Sequence, residues 1–487
     1  MTFNSWEFLL FYPIVALLYF LLPKKMKWPM LLIASYFFYG CYQLDLLPLI
    51  VATTLVSWIA SHIVYRSHSK ALRRICLTVT LVVCFGVLFF YKYFDFLSGS
   101  VTGLIEYFGG TPEPVMLNLV LPVGISFYTF QTLSYVIDVY RGDVEPEKNP
   151  FFYALFVSFF PQLVAGPIER PGNLIPQLKE AHKWSSDNFV KGAKHMLVGF
   201  FKKICVADMI SIYVNAIYNN AEEATALGIV IASMLFAVQI YCDFSGYTDI
   251  AIGCARIMGI RLMKNFNHPY VATSIKEFWS RWHISLSTWF KDYLYIPLGG
   301  NRCKKWRHLM NILIVFLVSG LWHGAAWTFV IWGALHGIYQ IFGTITWKSR
   351  NKLLSKVHLS ERSLIVVAFR RLVTFILVCF AWIFFRANSI GDAITLLKTL
   401  FSASGWAAGF TDVVSGLELD FASIIMTVLS ILTLIGIDRL LTYEDEGDGS
   451  NVLVRHGAFI YYVWIVFFMW AVLLSKDMTS TFIYFQF

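Results

Sequence analysis

The chain has 487 residues, of which 57% are hydrophobic, 17% aromatic and only 14% charged, with a formal net charge of +9. An ordinary soluble domain carries roughly 25% charged residues, and here the apolar residues run together instead of alternating with charge. Such a composition excludes a soluble protein of two or three cores and points to a polytopic membrane protein.

The apolar runs cover residues 8–22, 46–65, 75–91, 115–137, 225–242, 310–347, 372–385, 421–437 and 458–474, with shorter runs at 28–42 and 151–165. Several approach or exceed the roughly 17–20 residues that span a hydrocarbon layer about 30 Å thick. The shorter ones read as tilted, kinked or re-entrant pieces. The fold class expected is all-α, with roughly 11 transmembrane or re-entrant helices at the usual length per span.

The first run lacks the basic flank and small-residue cleavage site of a secretory signal, Glu7 being the only charge before it. "LPKKMK" (22–27) follows it directly. Basic loops stay cytoplasmic, which places the N-terminus outside. The next loops alternate accordingly: "YQLDLL" (42–47) has one acid, "YRSHSKALRR" (65–74) four bases, and 98–114 only Glu106 and Glu113. This positive-inside pattern accounts for much of the net charge without nucleic acid, the other partner of a basic chain.

Along the middle of the chain, "FFPQLVAGPIERPG" (159–172) reads as a broken element, tolerated at membrane depth where it is buried in protein or lines a cavity. "KGAKHMLVGFFKKICVADMI" (191–210) sets Leu197, Phe200, Phe201 and Ile204 at helical spacing beside Lys191, Lys194, Lys202 and Lys203. It fits a helix at the cytoplasmic surface with its lysines towards head groups, or the base of an ordinary span. In "QIYCDFSGYTDIAIG" (239–253), Asp243 and Asp249 flank Ser245, Gly246 and Thr248. Helix capping at a break, or cavity lining, is favoured there over cation coordination or proton relay. "SIKEFWSRWHISLSTWFKDYLYIPLGGNR" (274–302) places Trp279, His283 and Ser287 at i, i+4 and i+8, and so on one helical face.

From Met310 to Trp347 there is no Lys, Arg, Asp or Glu, yet the run holds His323 and His336. An ionisable residue at membrane depth usually faces the bundle interior, a cavity or a partner. Histidine is the least costly such group, because an unperturbed pKa near ~6.5 leaves it neutral at pH 7 and able to take a proton. The bland alternative is a hydrogen bond to a neighbouring helix. Gly320 and Gly324 flank His323, and Gly333 and Gly337 surround His336, which lets backbones or a substrate approach closely. On one straight helix the thirteen positions between the two histidines turn through about 220°. They share a site only if the helix breaks near the glycines.

The eight cysteines form no C-x-x-C pair and read as small buried hydrophobes. "YEDEGDGS" (443–450) is a solvated acidic turn. No nucleotide loop, zinc motif or nucleophile elbow occurs, so no bound cofactor and no metal are expected. On residue chemistry alone, an enzyme and a transporter both remain open.

Read in order, these clusters resemble the membrane-bound O-acyltransferase superfamily, and within it the bacterial branch that includes the membrane subunit of alginate O-acetyltransferase. The resemblance lies in "LPVGISFYTFQTLSYVIDVYRGD" (121–143), "FFPQLVAGPIER" (159–170), "DFSGYTDIAIG" (243–253), "NFNHPYVATSIKEFWSRWHISLSTWFKDYLYIPLGGNR" (265–302), "SGLWHGAAWTFVIWGALHG" (319–337) and "FIYFQF" (482–487). It implies one acyltransferase domain over 1–487, with N-terminal helices in 1–114, a catalytic core in 115–345 and C-terminal helices in 346–487.

By the resemblance, His323 is the catalytic histidine and His283 the second functional one, in a tunnel through the bundle. A cytoplasmic thioester donor, acetyl-CoA or an acyl-carrier protein, reaches it from one side and a hydroxyl acceptor from the other. Trp279, Ser287, Trp322, His336 and Asp243 are the expected substrate-binding or tunnel-lining residues, with Trp279, Ser287 or His283 orienting substrate or steadying the oxyanion. The implied reaction is acetylation of an exported polysaccharide or cell-wall glycan, with D-alanyl transfer to teichoic acid second and acylation of lipids or secreted proteins third. The first two imply a separate extracytoplasmic acyltransferase partner.

Overall fold

The computed structural model describes residues 1–164, 166–407, 412–413, 421–445 and 452–475. Every regular element among them is helical. The chain is therefore all-α, as its composition requires. Five helical stretches among the described residues are long and apolar enough to cross a membrane: Lys24–Arg66, Lys70–Tyr107, Ala226–Ile257, Trp327–Lys356 and Leu364–Arg386. The terminal "FIYFQF" and most of the acidic turn at 443–450 lie outside the described residues.

The chain divides into two compact units, residues 1–196 with 248–264, and residues 197–247 with 265–487. In the first, α1 (Trp6–Leu21) starts on Ser5, whose Oγ accepts from Phe8 N at 3.3 Å. Then follow α2 (Lys24–Gln43), α3 (Leu47–Arg66), α4 (Lys70–Leu88), α5 (Phe94–Tyr107) and α6 (Ile125–Arg141). The exposed side chains of α4, among them Ile75, Val79 and Val82, suit lipid, whereas α6 is buried along almost its whole length.

Buried α6 must satisfy its polar side chains internally, and the break expected at 159–172 supplies the partners. Helix α7 (Pro150–Ser158) stops at Phe159, and α8 (Phe160–Leu163) restarts with Pro161, whose missing N–H leaves the carbonyl of Val157 without a helical donor. Phe160 N donates to Ser35 Oγ at 3.1 Å rather than up its own helix. The freed carbonyl of Phe156 accepts instead from the side-chain amides of Gln131, at 2.7 Å, and Gln162, at 2.9 Å. One step along, the Tyr135 and Tyr153 rings lie 4.3 Å apart. Tyr153 Oη shares a hydrogen bond with Ser57 Oγ at 2.8 Å, and Tyr135 Oη accepts from Glu147 N at 2.7 Å. Helix α9 (Pro171–Lys179) follows the break.

Helices α10 (Ser186–Phe200) and α12 (Ala226–Ile257) contribute residues to both units. The second unit adds α11 (Met209–Tyr218), α13 (Ile275–Arg281), α14 (Ile284–Phe290), α15 (Lys305–His323), α16 (Trp327–Lys356), α17 (Leu364–Arg386) and α18 (Ile390–Phe401), then α19 (Phe421–Asp445) and α20 (Val452–Ser475). Its core is aromatic, with Trp282, Trp332 and Trp382 no more than 1% exposed.

Helices α15 and α16 form a tight hairpin held by glycine. A Cβ at Gly320 would lie 2.3 Å from Phe329 O, and one at Gly333 the same distance from Phe316 O. These clashes are with backbone, so no rotamer relieves them. Gly333→Ala is therefore expected to push the helices apart and destabilise by about 1–3 kcal/mol or more. A thermal melt in detergent within 1–2 °C of wild type, with transfer intact, would refute the close-packing role.

Candidate active site

The three histidines singled out by sequence lie in the second unit, all within 3% of full burial. His323 is the last residue of α15. Gly324 leaves the helix in extended backbone, and α16 begins only at Trp327. The chain thus breaks between the two histidines of the uncharged run. That break brings both rings onto Trp332: its ring centroid lies 5.0 Å from His323 and 5.1 Å from His336. Trp322, at 5.0 Å, and Phe385, at 5.6 Å, pack on His323 from other sides.

His283 reaches the same place from another element. The sequence spacing puts Trp279, His283 and Ser287 on one helical face, but the structure overturns this. Helix α13 ends at Arg281, Trp282 is extended, and His283 sits in left-handed backbone at φ 43°, ψ 54° before α14 begins. That conformation is uncommon for a residue with a Cβ and persists only where the surroundings enforce it. Asn265 supplies the enforcement: its backbone O accepts from Ile284 N at 2.9 Å, and its Oδ1 accepts from Ser285 N at 3.2 Å and Ser285 Oγ at 2.8 Å. The His283 ring then lies 4.7 Å from Phe244, 5.7 Å from Trp322 and 6.2 Å from His323.

Burial pushes the His283 imidazole down to about 3. The ring is therefore neutral at physiological pH. Because the unfolded chain takes up this proton near the ordinary value of about 6.5, stability is full above that pH and falls as pH drops towards 3. The slope cannot exceed about 1.4 kcal/mol per pH unit. His283→Asn keeps a residue that tolerates left-handed backbone and removes the titration. Its melting temperature should fall less than that of wild type between pH 6.5 and 4.5; parallel curves would remove His283 as the cause.

The remaining expected residues separate. Trp279 joins His336 rather than His283, its Nε1 donating to His336 Nδ1 at 3.2 Å. Trp322 packs between His283 and His323. Ser287 Oγ donates to the backbone O of Trp282 at 3.2 Å. Asp243 accepts from Lys203 Nζ at 2.5 Å, and Lys203 also meets Asp208 at 2.8 Å. The carboxylates outweigh the effect of burial, which acts the other way, and hold the Lys203 amine above its usual range.

The structure overturns two further expectations. Asp243 and Asp249 cap no helix break, because α12 runs through both without interruption; Asp249 lies 3.9 Å from His195 Nδ1. Lys202 and Lys203 do not reach towards head groups. A π-helical turn at Phe201–Asp208 buries both, Lys202 against Asp438 at 2.6 Å. Lys191 and Lys194 are half-buried, and Lys191 pairs with Asp187 at 3.0 Å.

The sequence does not single out Asn265, Trp332 or Trp382. Asn265 opens the stretch 265–302, but nothing in its spacing shows that it bonds twenty residues ahead. Trp332 stands four before His336 and was legible as its neighbour on one helix face. Trp382 comes from a different span and has no local signal.

What the arrangement offers chemically is two buried imidazoles 6.2 Å apart in an aromatic surround, a setting in which a histidine that is neutral can act as general base. A sequence profile described as MBOAT, the membrane-bound O-acyltransferase family, matches residues 147–385. The chain is 38% identical to the probable alginate O-acetylase AlgI of Azotobacter vinelandii over 408 residues, covering 83% of this chain and 79% of the relative. It is 35% identical to the peptidoglycan O-acetyltransferase of Helicobacter pylori over 426 residues, 81% of this chain and 78% of the relative. It is 30% identical to the teichoic acid D-alanyltransferase of Bacillus subtilis over 287 residues, 56% of this chain and 70% of the relative. The matched region includes the His283 turn, the end of α15 and Trp332, and with these relatives it establishes that the chain belongs to the membrane-bound O-acyltransferase family as a multi-pass membrane O-acyltransferase.

Proposed function

We infer that the protein moves an acetyl group from a cytoplasmic thioester to a hydroxyl of an exported polysaccharide or cell-wall glycan, with His323 as general base. The observation that carries this reading is the burial of His323 at a helix break, within 6.2 Å of the second histidine, His283. In the proposed step the acceptor oxygen attacks the thioester carbonyl carbon as His323 takes its proton, and the departing thiolate recovers that proton. His283 orients a substrate beside it.

Acetyl is favoured over D-alanyl because the alginate acetylase relative aligns over 83% of the chain and the D-alanyltransferase over 56%. The reading takes 1–487 as one acyltransferase domain, with the donor and acceptor meeting in a tunnel and the N-terminus extracytoplasmic. It includes an extracytoplasmic acyltransferase partner that receives the acetyl group or passes it on.

The test is incubation of the purified protein in lipid nanodiscs with acetyl-labelled acetyl-CoA, and in parallel with an acetylated acyl-carrier protein. Label released as acetate or passed to a glycan hydroxyl from either donor supports the reading, and the productive donor identifies the thioester. An intact thioester in both arms, with glycan and the extracytoplasmic fraction of the source cell added, overturns it in favour of a transporter.

A further inference from the structure

Two buried N–H groups, one on Trp332 against His323 and one on His336 against Trp332, are left unused by the step above. Trp279 Nε1 donates to His336 Nδ1 at 3.2 Å. An indole nitrogen only donates, so Nδ1 is the acceptor and the proton of the neutral ring sits on Nε2. Among the described residues, that Nε2–H has no hydrogen-bond partner, and neither has Trp332 Nε1–H. Both residues are 0% exposed. Phe278, Phe316 and Trp382, packed around His336, carry no acceptor, and the hydroxyl of Tyr339, whose ring lies 6.0 Å away, makes no hydrogen bond to Nε2.

Leaving a buried donor without an acceptor costs about 1–3 kcal/mol. Here two such donors stand at i and i+4 on one face of α16, their rings 5.1 Å apart. Trp332 also packs directly on His323, at 5.0 Å. Donors fixed in a water-excluded place next to the base, with no acceptor of their own, are suited to an oxygen that gains charge during the reaction.

We propose that Trp332 Nε1–H and His336 Nε2–H donate to the carbonyl oxygen of the acyl thioester as it becomes an oxyanion, with Trp279 as the positioning residue that fixes the tautomer of His336. The proposal rests on acyl transfer at His323. When the acceptor oxygen bonds to the carbonyl carbon, the C=O π pair moves onto oxygen, where the two N–H groups hold it, and the hydroxyl proton passes to His323. The pair then returns to re-form C=O, the C–S bond breaks, and the sulfur takes the proton from His323. Of the three residues expected to orient substrate or steady the oxyanion, Trp279 is committed to His336 Nδ1 and Ser287 to Trp282 O, while His283 keeps the orienting role.

The test uses the full chain in nanodiscs with the productive thioester, and the variants Trp332→Phe, His336→Phe, His336→Gln and Trp279→Phe. Trp332→Phe and His336→Phe keep an aromatic filling but lose the N–H. Each should lower kcat by about 10–10³-fold with KM changed by less than about threefold. Glutamine can accept from Trp279 and still donate, so His336→Gln should recover at least about tenfold of the loss. In ¹⁵N spectra of histidine-labelled protein, His336 should show a single Nε2–H tautomer that becomes a mixture in Trp279→Phe.

A trifluoromethyl ketone analogue of the thioester, whose hydrate mimics the oxyanion, should bind at least about tenfold more weakly to Trp332→Phe and His336→Phe. Variants within twofold of wild type in kcat and analogue binding would overturn the proposal. So would losses confined to KM, or losses that only follow the folded fraction. If wild type neither turns over the thioester nor binds the analogue, the acyl-transfer reading itself falls. If wild type does both and the variants match it, the oxyanion pair alone falls.

Discussion

Replacing His323 by glutamine should lower acyl transfer by about 10²–10⁴-fold, the range a positioned general base supplies, while the protein still purifies as a folded monodisperse species. Glutamine is the informative substitution because the site is packed. The ring is 3% exposed and lies between Trp322, Trp332 and Phe385 at 5.0–5.6 Å. Alanine would leave a hole among aromatic rings, where large-to-small changes cost about 3–5 kcal/mol, and lost activity would then be confounded with lost fold. Glutamine fills much of the volume and hydrogen-bonds, but it cannot take a proton at neutral pH. The measurement is single-turnover release of labelled acetyl from the thioester, beside a thermal melt of each variant. A His323→Gln protein that melts like wild type and transfers within tenfold of it would remove His323 as the base. The next candidate is then His283, 6.2 Å away.

The parts of this site that sequence reveals are those whose meaning is local. The absence of charge from 310 to 347 makes any imidazole there conspicuous, and the glycines at 320, 324 and 333 mark where helices touch or end. Even the constraint that His323 and His336 share a site only across a break follows from helical geometry, and the break is present at 324–326. The His283 turn is different. The i, i+4, i+8 spacing of Trp279, His283 and Ser287 looks helical, and it fails because Asn265, distant in sequence, bonds the backbone and side chain just after the turn and stabilises left-handed backbone at His283. Local periodicity carries no record of such a clamp.

Lys202 and Lys203 depart from the head-group reading for a related reason. On an α-helix, Lys203 and Asp208 would stand about 140° apart. The wider π turn at Phe201–Asp208 brings them onto one side, which converts lysines that look destined for a membrane surface into interior cations. Trp382 packs against Trp282 and Trp332 from another span, and no window of sequence contains that contact.

The buried ion cluster bears on whether Asp243 serves substrate or scaffold, and the test is Lys203→Met. Lys203 and its two carboxylate partners are each at most 5% exposed at the side chain. A buried ion pair is a weak source of net stability against an apolar replacement, because desolvation offsets much of the attraction. Removing one member is another matter, since it strands uncompensated charge. Lys203→Met removes the ammonium between Asp208 and Asp243 and leaves both carboxylates buried without it, so it should destabilise by about 3–5 kcal/mol. Asp243→Asn should cost less, because Lys203 keeps Asp208 at 2.8 Å. The triple variant Lys203→Met, Asp208→Asn, Asp243→Asn carries no ion and should recover most of the loss, a non-additivity that thermal melts in one detergent would reveal. The pattern of activity then assigns Asp243. A scaffold carboxylate makes transfer follow the folded fraction through the series and return in the triple variant. A carboxylate that contacts substrate leaves the triple variant folded and inactive, with KM raised in Asp243→Asn. Because Asp243 is held by Lys203 on one side and stands in an uninterrupted α12, the expected outcome is the first: stability and transfer recover together.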